Sequence, residues 1–175
     1  MSIIPVLSTS RRPRYLYSCA AITATCLLAS STDDAMTFSR AIDVTAEVKP
    51  KSLHWGWYAT TFSAVQLKFN TIHRGRLVAC AGHVVGHWSA YPITTGHSHK
   101  ILSDDHGKSW RAGGSVPFAT TNECSIAELK NGTLVMNSHN YVGHPVHRFI
   151  SHSHDGGESW PIGWLAHDLP DPIVF

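Results

Sequence analysis

Short apolar runs separated by polar turns dominate the chain, and no segment carries the sustained stripe of an amphipathic helix. Alternating runs rich in β-branched and aromatic residues are typical of strands. Five strands are predicted outside the repeats described below: Trp57–Thr61, Val65–Phe69, Arg76–Cys80, Ser125–Leu129 and Thr133–Asn137. Asn131-Gly132 joins the last two and predicts a two-residue hairpin turn. Pro161, Pro170 and Pro172 predict a loop or a sheet edge at the C-terminus.

The N-terminal segment has two interpretations. An apolar run from Tyr15 to Leu28 follows three arginines between residues 11 and 14, the layout of a signal peptide. The run is too short to cross a membrane as a helix, and no transmembrane segment is predicted. Its Thr, Ile, Cys and Tyr residues suit a buried β-strand, which we favour. We expect a divergent segment over residues 1–26 and one domain over residues 27–175. A secreted or lysosome-like location is favoured over a cytoplasmic one.

One octapeptide recurs along the chain with the pattern S-x-D-x-G-x-S-W. Its pattern residues are Ser103, Asp105, Gly107 and Trp110 in one copy, Ser153, Asp155, Gly157 and Trp160 in another, and Ser31, Asp33 and Phe38 in a degraded copy. In the degraded copy Ala35 replaces the glycine. The aspartate can fold back onto backbone N–H groups of a turn, and the glycine can supply a positive φ. The tryptophan can then bury its ring between layers, so each copy predicts a locked β-hairpin.

The spacing of the copies indicates a repeat architecture. They begin at Ser31, Ser103 and Ser153, which are 72 and 50 residues apart. Propeller blades of four strands run about 40–50 residues, so the second spacing fits one blade. The first spacing fits a blade with a long insertion, which we place in the Gly- and His-rich stretch 81–98.

Composition narrows the class of protein. Of the 175 residues, 43% are hydrophobic and 15% are charged, against roughly 25% charged in an ordinary soluble domain. Disorder and coiled coil are therefore excluded, and a net charge of +2 gives no basic face for nucleic acid. The four cysteines form no C-x-x-C pair, which excludes zinc-ribbon and thioredoxin-type sites, and buried free thiols are expected.

The octapeptide resembles the Asp box of sialidases (neuraminidases). The sequence segments between and after the copies also resemble segments of that family, and they occur in the same order along the chain. The resembling stretches lie at residues 55–60, 66–67, 74–78, 121–124, 127–129, 131–132 and 168–172. The resemblance implies an all-β fold, a partial six-bladed β-propeller with about three blades present. It also implies an exo-α-sialidase, a glycoside hydrolase that removes terminal sialic acid from a sialylated oligosaccharide, glycoprotein or glycolipid.

The resemblance to sialidases implies a retaining mechanism in which a tyrosine is the nucleophile. A glutamate activates the tyrosine, an aspartate is the acid/base, and three arginines grip the substrate carboxylate. A neutral phenol suits an anomeric carbon that carries a carboxylate, because a carboxylate nucleophile would be repelled; this tyrosine is an exception to the two-carboxylate scheme. Arginine forks match a carboxylate bidentately, and the scheme requires no metal or other cofactor.

Two residues, Glu123 and His139, align with active-site positions of the sialidase family. Glu123 in Asn-Glu-Cys aligns with the glutamate that serves the tyrosine. His139 stands where the second carboxylate-binding arginine is expected, and a histidine lacks the fork and is charged only below about pH 6.5. We assign no residue to the first arginine or to the acid/base aspartate. The tyrosine and the third arginine belong to later blades than those matched.

Thirteen histidines are the unusual feature of the composition. His97 and His99, like His152 and His154, alternate and could share a face of a strand. No Asp, Glu or Cys lies at ligand spacing with such pairs, so no metal site is predicted. His83 is expected to line a sugar pocket instead, together with Trp57 and Tyr58, whose alternative role is core packing.

Two further functions remain open. The chain could be a catalytically inactive, sialidase-like module that binds carbohydrate or another partner, because His139 replaces an arginine. It could also be a degenerate copy without function. The hypothesis that the chain is part of a sialidase depends on Glu123 and on stretches that resemble the sialidase family in the same order along the chain.

Overall fold

The computed structural model describes residues 2–6, 14–18, 25–49, 55–85, 96–141 and 146–171, with the strands at 2–6, 14–18 and 55–62 described by their backbone only. Within these described ranges, twelve strands form three sheets of four. The first sheet, blade 1, contains β1 (Ser2–Val6), β2 (Arg14–Ser18), β3 (Cys26–Ser30) and β4 (Ile42–Asp43). Blade 2 contains β5 (Trp55–Gln66), β6 (Leu77–Val85), β7 (Gly96–Ser103) and β8 (Arg111–Ser115). Blade 3 contains β9 (Thr121–Glu128), β10 (Leu134–Asn140), β11 (His147–Ser153) and β12 (Ile162–Pro170). A short helix, α1 (Thr45–Val48), follows β4.

In every sheet the strands pair antiparallel in the order of the chain. Three successive four-stranded meanders are the architecture of consecutive propeller blades. The all-β prediction of about three blades is therefore confirmed. β12 lies at the edge of blade 3, in agreement with the predicted C-terminal edge.

Several predicted boundaries were wrong. The two strands predicted at Trp57–Thr61 and Val65–Phe69 are one strand, β5, whose register against β6 shifts between Thr60 and Ala64. The predicted insertion at 81–98 was placed too widely, because β6 continues to Val85 and β7 begins at Gly96. A bulge hides the continuity of a strand in the sequence, because it breaks the alternation of buried and exposed positions. Residues 86–95 lie outside the described residues.

The apolar run from Tyr15 to Leu28 contains parts of two strands rather than one. β2 and β3 pair antiparallel, with Tyr15 opposite Ala29 and Tyr17 opposite Leu27. Residues 19–24, between the two strands, lie outside the described residues. The division of the chain at residue 26 stays a prediction.

The Asn131-Gly132 turn joins β9 to β10 as predicted, but in another turn type. The N–H of Gly132 donates to Leu129 O, and the N–H of Leu129 donates to Thr133 O. Gly132 has φ 82°, whereas Asn131 is not among the residues with positive φ. A type I′ turn needs a positive φ at both central residues, so this loop is a type I turn followed by a left-handed glycine.

The three Asp boxes join the third and fourth strands of their blades and share one hydrogen-bond pattern. In the second box Ser103 Oγ accepts the Gly107 N–H at 2.7 Å, and Asp105 Oδ1 accepts the Ser109 N–H at 2.9 Å. Ser103 Oγ also donates to Asp105 Oδ1 at 2.9 Å. The same contacts recur at Ser153, Asp155, Gly157 and Ser159, and at Ser31, Asp33, Ala35 and Thr37. The predicted lock of the hairpin is confirmed.

The degraded box differs from the others in strain and burial. Gly107 and Gly157 have φ 80° and 93°, and Ala35 adopts φ 68° at the same place. A residue with a Cβ is disfavoured there by about 1–2 kcal/mol. Trp110 and Trp160 are buried, as predicted, whereas Phe38 is only half-buried.

Two apolar clusters hold the blades together, one on each face of blade 2. Leu77, Ala79 and Ala81 of β6 pack with Trp110 and blade 1 residues. Val78 and Cys80, the intervening residues of β6, belong to the second cluster with Trp160 and blade 3. Neighbouring residues of a strand point to opposite faces, and both faces of β6 are covered by a cluster. The sequence of β6 is therefore continuously apolar over residues 77–81 rather than alternating.

Polar contacts reinforce the junction of blades 2 and 3. The buried guanidinium of Arg76 contacts Asp104 at 2.6 Å and Glu158 at 2.9 Å. Glu128 accepts three backbone N–H groups from residues 68–70, at the end of β5. The first strands of the two blades are thereby held side by side.

Candidate active site

Glu123 lies on β9, the first strand of blade 3. Burial alternates along this strand, so Cys124 and Ile126 enter the core while Glu123 and Ser125 are exposed on the other face. Within the described residues the Glu123 carboxylate has no hydrogen-bond partner; its backbone N–H donates to Asn122 Oδ1. An exposed carboxylate on this face can reach a ligand.

His139 lies on the neighbouring strand, β10, and Tyr141 connects it to Asn122, the residue before Glu123. Asn122 Nδ2 donates to the Tyr141 hydroxyl at 2.7 Å, and the Tyr141 ring lies 4.5 Å from the His139 ring between centroids. The register of β9 against β10 shifts between Ser138 and Asn140, so His139 sits at a bulge. Bulges re-aim side chains, and here the imidazole is turned toward the end of the strand.

Asp171 and Arg148 join His139, and neither was singled out from the sequence. The His139 Nδ1 lies 2.6 Å from Asp171 Oδ2, and Arg148 Nη1 donates to Asp171 Oδ1 at 2.9 Å. The Asn140 N–H also donates to Asp171 Oδ2, at 2.7 Å. Arg148 Nε donates to Asn137 Oδ1 at 2.7 Å, which fixes the guanidinium in place.

The electrostatics of this cluster favour an ionised Asp171. Burial opposes the charge, but the hydrogen bonds from the Asn140 N–H, His139 and Arg148 outweigh it and hold the pKa of Asp171 below its usual range. An acceptor at Nδ1 directs the other ring nitrogen, Nε2, away from Asp171. His139 itself keeps 9% side-chain exposure. The imidazole therefore presents one oriented nitrogen.

His83 lies near the same end of the blades but is not open to solvent. The backbone of β6 meets β9 closely, since a Cβ at Gly82 would lie 3.1 Å from Asn122 O. His83 is 4% exposed, and its Nδ1 lies 3.0 Å from His99 Nδ1. Burial, with a contribution from His97, lowers the pKa of His83 to about 3. A neutral, buried imidazole can support the site but does not line an open pocket in this arrangement.

Trp57 and Tyr58 lie on β5, next to His83. The register pairs Trp57 with Val84 and Tyr58 with His83. Their side chains lie outside the described part of the structure, so lining of a pocket by these rings stays a prediction. The backbone of β5 nevertheless brings both positions to the end of the blade that carries His83.

An apolar cleft elsewhere in blade 3 is not part of this cluster. Its walls are Pro117, Phe118, Phe149, Pro161, Gly163, Trp164 and Leu165. The rings of Phe118 and Phe149 stack at 4.5 Å. No candidate site residue lines it. Within the described residues no group of three or more His, Cys, Asp or Glu side chains is arranged to hold a metal ion.

Sequence comparison places this geometry among known proteins. The family of BNR repeat-like domains matches residues 15–172. A sialidase from Micromonospora viridifaciens is 31% identical over 148 residues, which cover 83% of this chain and 21% of that protein. Sialidase-4 of Mus musculus is 36% identical over 78 residues, covering 45% of this chain and 16% of that protein. The chain thus spans about a fifth or less of these relatives.

Solved structures share the fold. A Trypanosoma rangeli sialidase in complex with sialic acid has a TM-score of 0.66 and 14% identity, over 93% of this chain and 27% of that one. The intramolecular trans-sialidase from Ruminococcus gnavus has a TM-score of 0.65 and 22% identity, over 85% of this chain and 28% of that one. At these identities the likeness establishes the partial propeller fold. Among the described residues no helix is long and apolar enough to span a membrane.

Proposed function

The chain belongs to the family of BNR repeat-like domains, with sialidases among its relatives, and we propose that it forms three blades of an exo-α-sialidase. Such a protein would remove terminal sialic acid from glycoconjugates. The observation that carries the proposal is the exposed Glu123 on β9, beside Asn122, which donates to the Tyr141 hydroxyl; the Tyr141 ring packs against His139 on β10.

Glu123 is proposed as the base of a retaining mechanism. A carboxylate without a partner among the described residues can accept the phenolic proton of a tyrosine nucleophile. The tyrosine would then attack the anomeric carbon while the glycosidic oxygen leaves with a proton. The resemblance to sialidases places that tyrosine in a later blade, and Glu123 is proposed to act together with it.

His139 is proposed to contact the carboxylate of sialic acid through Nε2. Asp171 holds Nδ1, which leaves Nε2 as the nitrogen directed at a ligand. A protonated Nε2 donates one charge-assisted hydrogen bond, in place of the two that an arginine fork would give. We therefore expect weaker binding of the carboxylate than an arginine would give.

Binding of N-acetylneuraminic acid to the full-length protein tests this assignment. Loss of one charge-assisted hydrogen bond corresponds to roughly ten- to hundredfold in affinity. His139→Ala should weaken binding by that factor in titration calorimetry, and His139→Arg should restore or exceed it. The methyl ester of the sugar should bind equally to all three proteins. Equal affinity of the acid for wild type and His139→Ala would refute the role of His139, and binding without turnover would favour the inactive module.

A further inference from the structure

A buried lysine lies between two cysteines at the junction of blades 2 and 3. Lys100 Nζ is 2.8 Å from Cys80 Sγ and 3.2 Å from Cys124 Sγ. The lysine is fully buried, Cys80 is fully buried, and Cys124 is 6% exposed. These three side chains, which we call the thiol–lysine cluster, belong to β7, β6 and β9.

The cluster is chemically unusual. A buried ammonium normally has a carboxylate partner, because the uncompensated charge is expensive in a medium of low polarity. Within the described residues the Lys100 ammonium contacts the two sulfur atoms and the ring of Trp160, whose centroid is 5.4 Å away. A thiolate is the one anion that these neighbours can provide.

Two opposing effects act on the thiols. Burial raises the pKa of Cys80 well above its usual value, and the Lys100 ammonium pulls it back. An adjacent cation is the usual means by which proteins make a thiolate available. Because burial prevails, the thiolate is a minor species at neutral pH, and its population rises with pH.

The two sulfurs lie where strands β6 and β9 approach closely. Both contact one atom, Lys100 Nζ, and Cys124 Sγ also lies 3.7 Å from Ala81 O, next to Cys80 on β6. At the next step along the strands, a Cβ at Gly82 would lie 3.1 Å from Asn122 O. A disulfide needs Cα atoms about 4.4–6.8 Å apart, and this close approach of β6 and β9 favours such a spacing.

We propose that the thiol–lysine cluster is an oxidation site, at which hydrogen peroxide converts Cys80 and Cys124 into a disulfide that links blades 2 and 3. The Cys80 thiolate attacks one peroxide oxygen; an S–O bond forms, the O–O bond breaks, and the departing hydroxide takes up the thiol proton as water. Cys124 sulfur then attacks the sulfenic sulfur; the S–S bond forms, the S–O bond breaks, and a second water leaves. Two thiols lose two electrons, and one peroxide becomes two waters.

The disulfide would act on the strand that carries the candidate base. Cys124 is the neighbour of Glu123, so a bond from Cys124 to β6 fixes the backbone of β9 at that point. The second thiol attacks without diffusion, because both sulfurs contact the same Lys100 Nζ. Disulfide formation is therefore expected for this pair and not for Cys26, which belongs to the apolar cluster between blades 1 and 2 and not to the thiol–lysine cluster.

Peptide mapping of the full-length protein tests the proposal without any mutation. The folded protein is treated with hydrogen peroxide at pH 7 and at pH 9, remaining thiols are alkylated, and the digest is analysed by mass spectrometry. We expect one linked peptide pair, Cys80 with Cys124, lighter by two hydrogen atoms, formed faster at pH 9 and lost on reduction. Its formation should also raise the midpoint of urea-induced unfolding.

Variants separate the cluster from general thiol oxidation. Cys26→Ser should leave the yield of the linked pair unchanged, and Lys100→Met should slow its formation by about tenfold, since the cation that favours the thiolate is removed. Absence of the Cys80–Cys124 link in the folded, peroxide-treated wild type would overturn the proposal. A link that involves Lys100 or Cys26 instead would also overturn it.

Discussion

Replacing Ala35 with glycine should stabilise the protein, because Ala35 occupies the position that glycine holds in the two intact Asp boxes. Ala35 adopts φ 68° there, and Gly107 and Gly157 adopt 80° and 93°. A left-handed conformation costs a residue with a Cβ about 1–2 kcal/mol. Glycine removes this cost but adds about 0.5–1 kcal/mol of backbone entropy in the unfolded chain. The free energy of unfolding should rise by about 0.5–1 kcal/mol.

The reverse substitution in an intact box should have a larger and opposite effect. At Gly157 an added Cβ would meet Leu102 at 3.3 Å and Val78 at 3.4 Å, in addition to the strain of φ 93°. Gly157→Ala should therefore lower the free energy of unfolding by about 1–3 kcal/mol. Urea-induced unfolding followed by tryptophan fluorescence measures both changes.

A glycine placed in an ordinary strand provides the control. Ala127 lies exposed on β9 and is not among the residues with positive φ. Ala127→Gly should cost about 0.5–1 kcal/mol, opposite in sign to Ala35→Gly. If Ala35→Gly destabilised the protein as much as Ala127→Gly, the assignment of strain to the degraded box would be refuted.

Two further predictions concern buried charge. Unfolded His83 takes up a proton below about pH 6.5, whereas the folded form resists protonation until about pH 3; stability is therefore lost as pH falls, by roughly 2 kcal/mol between pH 7 and pH 5. His83→Gln should flatten that slope in urea titrations, and His106→Gln, at an exposed box position, should not. Arg76→Met should lower the free energy of unfolding by about 2–3 kcal/mol, because it leaves two carboxylates beside a buried gap. Arg111→Met, at a guanidinium that is 45% exposed, should lower it by less than about 1 kcal/mol. Equal losses would contradict the buried role of Arg76.

The sequence predicts the parts of the fold that local chemistry decides. The Asp boxes combine a short polar lock, a positive φ and a returning tryptophan within eight residues, so their hairpins could be located without tertiary information. Glu123 lies before the predicted strand Ser125–Leu129, and the alternation that exposes it belongs to the longer strand β9, which begins at Thr121.

What the sequence did not reveal depends on contacts between distant residues. Asp171 is 32 residues from His139, and only the pairing of β10 with β11 and the closing of β12 bring them together. Lys100 lies on β7, and its place between two cysteines requires the packing of β9 on blade 2. No period or spacing in the chain encodes such contacts.

The most direct test of the account is the hydrolysis of a 4-methylumbelliferyl sialic acid by the full-length protein, wild type against Glu123→Gln. Removal of a general base typically lowers a rate by about 10²–10⁴-fold, and the account predicts such a loss in kcat. Ser125→Ala, exposed on the same face of β9, should keep the wild-type rate. Turnover by wild type together with an unchanged rate in Glu123→Gln would contradict the claim that Glu123 is the base.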